Sequence, residues 1–189
     1  MITPGQMSEF WRQVKIEEID RDYFQDFLNH RLTVDNLFLR RISNEPLIID
    51  AVDGLEILAD ATDMFAGIDS DFENWGADEP GQETGEVGAV VYEITKDGTF
   101  AQLFGSLSGD VQKLCFTQAQ IKRFVKKYRS WLRVDGYGTF FLFQSKGEFF
   151  VASVHVRSGG SLSVRVDRFD FTCVWRAGHR RRVVVPQLA

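Results

Sequence analysis

The spacing of apolar residues along the first third of the chain predicts two helices. Thr3 precedes Pro4 as an N-cap precedes the first helical position, and apolar residues then recur every three to four positions. A second apolar stripe follows Asp20, which is a suitable N-cap for a short helix. Residues 4–30 are therefore predicted to form a helical hairpin.

The clearest amphipathic helix is predicted at residues 118–132, where Thr117 supplies the N-cap. Its apolar stripe consists of Ile121, Phe124, Val125, Tyr128 and Leu132. An apolar stripe needs a second apolar surface to cover it. The strands predicted immediately after this helix are the expected partner.

Alternating apolar residues predict an antiparallel β-meander in the last third of the chain. Its strands are expected at 139–144, 148–157 and 161–169. Three-residue loops that contain glycine separate them, namely Ser145-Lys146-Gly147 and Ser158-Gly159-Gly160.

The assumed loop lengths predict the register between these strands. Phe143 is expected to face Phe149, and His155 to face Ser163. The apolar face that should pack on the helix is then formed by Phe140, Leu142, Phe150, Ala152, Val154, Val156, Leu162, Val164 and Val166.

The predicted fold class is α+β: an N-terminal helical hairpin, a central mixed segment, and a C-terminal antiparallel meander packed against an amphipathic helix. The length favours a single domain over 1–189. Within it we distinguish an acidic helical and mixed part at 1–68, an exposed acidic loop at 69–88, and a basic core of helix and meander at 89–189.

Composition supports a protein with a substantial core that does not enter membranes. Hydrophobic residues make up 44% of the chain and aromatic residues 13%. No apolar run approaches the ~18 residues that a membrane-spanning helix requires. The N-terminus lacks an export signal, and two cysteines far apart favour reduced thiols. We therefore expect a cytoplasmic protein.

Charge is strongly segregated along the chain. Residues 1–110 carry 23 Asp and Glu against 7 Lys and Arg, whereas residues 111–189 carry 15 Lys and Arg against 4 Asp and Glu. Such asymmetry indicates either that the two halves attract each other or that they meet different partners.

The predicted helix at 118–132 carries a basic stripe that is a candidate binding surface. The stripe consists of Lys122, Lys126, Arg129 and Arg133, with Arg180, Arg181 and Arg182 as an extension. It is suited to an acidic macromolecule, either a protein or a nucleic acid. Two alternatives are a solvated helix face and a face paired with the acidic half of the same chain.

The polar end of the meander offers an alternative pocket. Polar side chains there share the face that points away from the predicted core, namely His155, Arg157, Ser163, Arg165 and Asp167. They would form the floor of a small-enzyme site. A simple solvated sheet face is the competing interpretation.

No motif of a known catalytic, nucleotide-binding or metal-binding site occurs in the chain. The run from Asp69 to Glu73 resembles the start of a calcium loop, but Asn74 and Pro80 occupy positions that require glycine and glutamate. We therefore predict no catalytic residue, no metal and no cofactor.

Several sequence blocks resemble a group of small uncharacterised bacterial proteins. The blocks are WLRVDGYGTFFLF (131–143), RVVVPQ (182–187), EPLII (45–49), IDSDF (68–72) and FAQLFGSL (100–107). The resemblance covers roughly residues 32–189. It implies no activity, and it assigns no site residue.

Two hypotheses about function follow. The first is a non-enzymatic binding protein that uses separate acidic and basic surfaces. The second is a small enzyme with a pocket over the polar end of the meander. Convergent titratable groups in a concave pocket would favour the enzyme, whereas a broad convex or grooved charged surface would favour the binding protein.

Overall fold

A computed structural model describes residues 38–188, which belong to one compact unit, Leu37–Ala189. The predicted helical hairpin at 4–30 lies outside the described residues. The strands are β1 (Leu39–Arg41), β2 (Leu47–Ile49), β3 (Gly67–Ile68), β4 (Val87–Ile94), β5 (Cys115–Phe116), β6 (Gly138–Ser145), β7 (Glu148–Val156), β8 (Leu162–Arg168) and β9 (Arg182–Pro186). The α-helices are α1 (Asp71–Asn74), α2 (Phe100–Gly105) and α3 (Gln118–Lys127), and 3-10 helices occupy Val111–Leu114, Arg129–Trp131 and Ala177–His179.

All nine described strands belong to one mixed sheet with the order β1-β4-β9-β6-β7-β8-β3, in which β2 also pairs with β4 and β5 with β6. Three pairings are parallel: β3 with β8, β5 with β6, and β9 with β6. The predicted fold class, a helical hairpin plus an antiparallel meander, is therefore wrong. The described part of the chain is mostly sheet, with few helices. The sheet is mixed in part because the C-terminal strand β9 inserts between β4 and β6 and runs parallel to β6.

The first hairpin of the predicted meander has a shorter turn than expected. Ser145 pairs with Glu148, so only Lys146 and Gly147 form the turn, both with positive φ (50° and 80°). A two-residue turn of this kind matches the twist of the flanking strands. The register is shifted by one residue, and Phe143 faces Phe150 instead of Phe149.

The second hairpin has the predicted register, with His155 opposite Ser163 and Val154 opposite Val164. Val154 and Val164 lie with Phe124 in the core on the α3 side of the sheet. Helix α3 therefore packs against this part of the β7–β8 hairpin.

The shift in the first hairpin reverses the faces of β6, because side chains alternate along a strand. Phe141 and Phe143 join the α3-side core, and the Phe124 and Phe141 rings are 5.3 Å apart. Phe140 and Leu142, which were predicted to meet this helix, lie on the opposite face.

That opposite face is buried by α2. The α2-side core contains Phe100, Leu103, Phe104, Phe140, Leu142, Val151, Val183 and Val185. The Phe100 and Phe140 rings meet edge to face with centroids 5.1 Å apart. Burial on both faces explains why β6 reads as a continuous apolar run.

The helix caps follow local sequence chemistry. The Thr117 hydroxyl oxygen accepts a hydrogen bond from the Gln120 backbone amide, and the Gln120 side-chain oxygen accepts one from the Thr117 backbone amide. Helix α3 ends at Lys127, earlier than predicted, and a 3-10 turn continues the chain from Arg129 to Trp131.

The predicted acidic loop at 69–88 is anchored at its beginning and exposed further along. It contains α1, whose Phe72 is fully buried and stacks on Phe143 with centroids 6.3 Å apart. Residues 79–83 are exposed.

Candidate functional site

The first residue of the predicted basic stripe lies against the chain's own acidic segment. The Lys122 ammonium is 2.8 Å from a Glu56 carboxylate oxygen and 3.1 Å from one of Asp63. Burial lowers the pKa of Lys122, but the hydrogen bonds to these carboxylates outweigh burial and hold the pKa above its ordinary value. This lysine already has acidic partners.

The end of α3 is held in the same way. The Lys127 ammonium is 2.7 Å from a carboxylate oxygen of Asp50, and the Tyr128 hydroxyl donates to the Ile48 carbonyl at 2.8 Å. The segment between Ile48 and Asp63 therefore covers one side of α3. We call this contact, formed by Lys122, Lys127, Asp50, Glu56 and Asp63, the lysine clamp.

Lys126, by contrast, is exposed and forms no ion pair among residues 38–188. The guanidinium of Arg129 donates to the Gly160 carbonyl in the β7–β8 turn. Arg133 donates to the His179 carbonyl at 3.3 Å and lies 3.5 Å from the Asp135 carboxylate. The far end of the stripe therefore meets backbone oxygens more often than acids.

The run Arg180–Arg182 does not form one patch. Arg180 is exposed in the left-handed region with φ 47°. Arg182 donates to the carbonyls of Ser130 and Leu132, and burial together with the charge of Arg133 lowers its pKa. Arg181, which immediately precedes β9, contacts the ring of Trp175 on the α2 side of the sheet.

Arg181 is held by aromatic rings that the sequence interpretation overlooked. Its guanidinium carbon lies 4.9 Å from the Trp175 ring and 5.3 Å from the Tyr137 ring, and its terminal nitrogen lies 2.6 Å from His179 Nδ1. His179 stacks on Tyr137 at 4.6 Å. Trp175 adjoins Arg176 in the sequence, whereas Tyr137 stands between two glycines, so the sequence offered a signal only for Trp175.

We call Tyr137, Trp175, His179 and Arg181 the arginine–aromatic cluster. No Asp or Glu of the described chain forms an ion pair with Arg180, Arg181 or Arg182. Among the predicted binding residues, Lys122 and Arg133 thus have carboxylate partners. Lys126, Arg129 and Arg180–Arg182 have none within the described chain.

The polar end of the sheet lies beside this cluster. His155 pairs across strands with Gly138, and its Nδ1 lies 3.0 Å from the Gly136 carbonyl oxygen. Burial lowers the pKa of His155, and the charges of Arg165, Arg181 and Arg157 lower it further. Arg157 donates to the Ser163 hydroxyl at 3.1 Å.

Asp167 belongs to the other end of the same strands. It pairs with Val151, whereas His155 pairs with Ser163, so four residues, or about 13 Å, separate the two along β8. Burial raises the pKa of Asp167, and the charge of Asp69 adds to this effect. His155 and Asp167 therefore do not form an acid–base pair.

Cys115 lacks the surroundings of a nucleophile. Burial raises the pKa of the Cys115 thiol to about 12, which keeps it protonated. Cys173 is exposed, and both thiols are free. Within residues 38–188, no group of three His, Cys, Asp or Glu side chains is placed to hold a metal ion.

The helices of the described segment are all too short or too polar to cross a membrane. No protein-family model matches the chain, and neither does any curated protein or solved structure. The resemblance to small bacterial proteins therefore stays a prediction, and a functional proposal depends on the geometry alone.

Proposed function

We propose that this protein is a non-enzymatic binding protein. Its exposed basic residues that lack carboxylate partners would contact an acidic macromolecule. The observation that supports it is the unequal pairing of the basic residues. Lys122 and Lys127 have carboxylate partners at 2.7–3.1 Å, whereas Lys126 and Arg180 are exposed without such partners among the described residues.

The contact surface consists of Lys126, Arg129 and Arg180, and it is bordered by Arg133, which is half-buried and lies 3.5 Å from the Asp135 carboxylate. Exposed cations that lack counter-ions attract polyanions over a Debye length of roughly 10 Å at moderate salt. Lys122 is outside this surface because the protein's own acids neutralise it. Arg181 and Arg182 are half-buried and reach solvent less than Arg180.

A neutralisation experiment tests this surface. The double variant Lys126→Gln, Arg180→Gln removes two charges from it. A matched control, Lys113→Gln, Arg168→Gln, removes two charges that are already paired with Asp110 and Glu148. Both variants change the net charge equally, so long-range attraction falls by a similar amount in each.

Binding to single-stranded DNA, duplex DNA and poly-glutamate is measured at low and high salt. We expect the first variant to lose affinity for one of these polyanions with an unchanged melting temperature, while the control keeps its affinity. On duplex DNA, log affinity falls with log salt by about 0.9 per phosphate contact. Equal losses in both variants, or no binding to any polyanion at low salt, would contradict the proposal.

A further inference from the structure

Three buried polar groups near the arginine–aromatic cluster have no hydrogen-bond partner within residues 38–188. They are Nε of Arg181, Nε1 of Trp175 and the hydroxyl oxygen of Ser153. Buried donors are paired in most proteins, because an unpaired donor loses its hydration without compensation. Three such groups in one region call for a common explanation.

The three groups are linked through two neighbouring rings, those of Phe140 and Trp175. The Trp175 and Phe140 rings lie 4.9 Å apart, and the Arg181 guanidinium lies 4.9 Å from the Trp175 ring. Ser153 is the cross-strand partner of Phe140 and is 2% exposed. The unpaired donors therefore converge on the α2 side of the sheet, at the His155 end.

Positive charge surrounds the same spot. Arg165 pairs with Ser153 across β7 and β8, and His155 follows Ser153 by two residues on the same face. Arg157 donates a hydrogen bond to the hydroxyl of Ser163, which is the cross-strand partner of His155. Neither Arg157 nor Arg165 forms an ion pair with an acid in the described part of the chain.

The acids of this face lie towards its edge and its other end. Asp69 lines a shallow groove with Arg157, Ser163 and Arg165 at the β3 edge. Asp167 lies two residues beyond Arg165 along β8, close enough to Asp69 for their charges to interact. Along β8, Arg165 thus lies nearer than Asp167 to the positions opposite Ser153 and His155.

We propose that a phosphate group binds at this site, which is formed by Ser153, His155, Arg165, Trp175 and Arg181. A phosphate carries close to two negative charges and offers several acceptor oxygens, which suits two guanidinium groups together with neutral N–H and O–H donors. A carboxylate carries only one charge, which matches two guanidinium groups less well than the charge of a phosphate does. The site does not depend on the exposed surface proposed above.

The geometry of Arg181 favours binding because the guanidinium is already held in place. Tyr137 and Trp175 contact it, and His179 fixes one terminal nitrogen. A side chain that is immobilised before binding loses less conformational entropy when the ligand arrives.

His155 supplies a spectroscopic readout. A carbonyl oxygen only accepts hydrogen bonds, so Nδ1 must carry the proton that bonds Gly136, and the neutral ring has its lone pair on Nε2. A bound phosphate favours protonation of Nε2. We therefore expect the pKa of His155 to rise when phosphate binds, as followed by its ring proton resonances in NMR.

The test is a titration of the full chain with inorganic phosphate and, separately, with O-phosphoserine, at constant ionic strength. Saturable binding should shift the Trp175 indole N–H resonance and the His155 ring resonances together. Tighter binding of phosphoserine would assign the site to a phosphorylated ligand, and tighter binding of inorganic phosphate to the free ion. Acetate should compete weakly.

Two variants and two controls decide the outcome. Arg181→Lys keeps the charge but removes the planar fork of donors, and it should weaken phosphate binding roughly tenfold or more. Ser153→Ala removes a hydroxyl that has no partner, so it should fold normally and also bind phosphate more weakly. Arg168→Gln removes a charge from the same strand as Arg165, and Lys126→Gln, Arg180→Gln alters only the exposed surface. Both should bind phosphate like the unmodified chain.

The proposal is wrong if tens of millimolar phosphate leave both resonances unmoved, or if Arg168→Gln weakens binding as much as Ser153→Ala. Should Arg181→Lys fail to fold, Ser153→Ala still decides. Normal polyanion binding by Ser153→Ala, together with lost phosphate binding, would separate this site from the exposed surface.

Discussion

Two basic regions of the protein have opposite electrostatic surroundings. In the lysine clamp, Lys122 and Lys127 contact Asp50, Glu56 and Asp63. Near the arginine–aromatic cluster, arginines contact backbone carbonyls and rings, and the Arg181 side chain has no carboxylate partner within the described residues. Some basic residues of the chain are therefore paired with its own acids, and others have no carboxylate partner among the described residues.

The difference between these regions depends on the identity of the cations. Lysine ends in a compact ammonium that pairs readily with one or two carboxylates. Arginine presents a flat group that stacks on rings and keeps in-plane donors free. This contrast is why we propose that the stacked arginine, and not the clamped lysine, binds an external anion.

The largest expected effect on stability concerns Phe124, a buried residue of the helix that carries the two lysines of the lysine clamp. Phe124 is fully buried against Phe141 and Tyr128. Phe124→Ala should lower the free energy of unfolding by about 3–5 kcal/mol, as truncations of buried aromatics do. Urea unfolding measures the loss. A change below about 1 kcal/mol would contradict the packing of α3 on the sheet.

A smaller loss is expected from Lys122→Met, which keeps the helix propensity but removes two ion pairs. The side chain is 15% exposed, so we expect about 1 kcal/mol, the upper end for pairs near a surface. Lys126→Met on the same helix is the matched control and should leave stability unchanged. Equal effects would mean that the clamp contributes nothing.

The pH dependence of stability sharpens the same comparison. The folded state raises the pKa of Lys122 above the ordinary 10.5, so its stabilising contribution is fully present below that value. It is lost as the pH rises through the folded-state pKa. Unfolding free energies measured from about pH 8 upwards should therefore fall less steeply for Lys122→Met than for the unmodified chain. Parallel curves would contradict this.

The smallest effect is expected for Lys127→Met. Lys127 and Asp50 are exposed, so water and salt screen their attraction despite the 2.7 Å separation. The change in melting temperature should be smaller than for Lys122→Met, and it should vanish in high salt. A larger loss than that of Lys122→Met would reverse our ranking of the two contacts.

Features that depend on a few adjacent residues could be predicted from the sequence. The Thr117 cap and the turn that sets the His155 and Ser163 register both act within a short segment. The apolar stripe of α3 likewise follows from spacing alone.

The β6–β7 turn could not be predicted, because distant residues determine it. The Ser145 hydroxyl donates to the Gly76 carbonyl at 2.8 Å, and the Lys146 amide donates to the Glu79 carboxylate at 2.9 Å. These contacts keep Ser145 in the strand and restrict the turn to two residues. As a result, Phe140 and Phe141 each lie on the face of the sheet opposite to the predicted one.

The charges themselves were evident in the sequence, as was their segregation between the two parts of the chain. Which cations are neutralised depends on the fold, since an ion pair requires its atoms within about 4 Å. The Tyr128 hydrogen bond to Ile48 brings the acidic segment onto α3, and the insertion of β9 beside β6 brings Arg181 to His155. Contacts between residues so far apart in sequence are selected by the packing of the whole sheet, which no local pattern encodes.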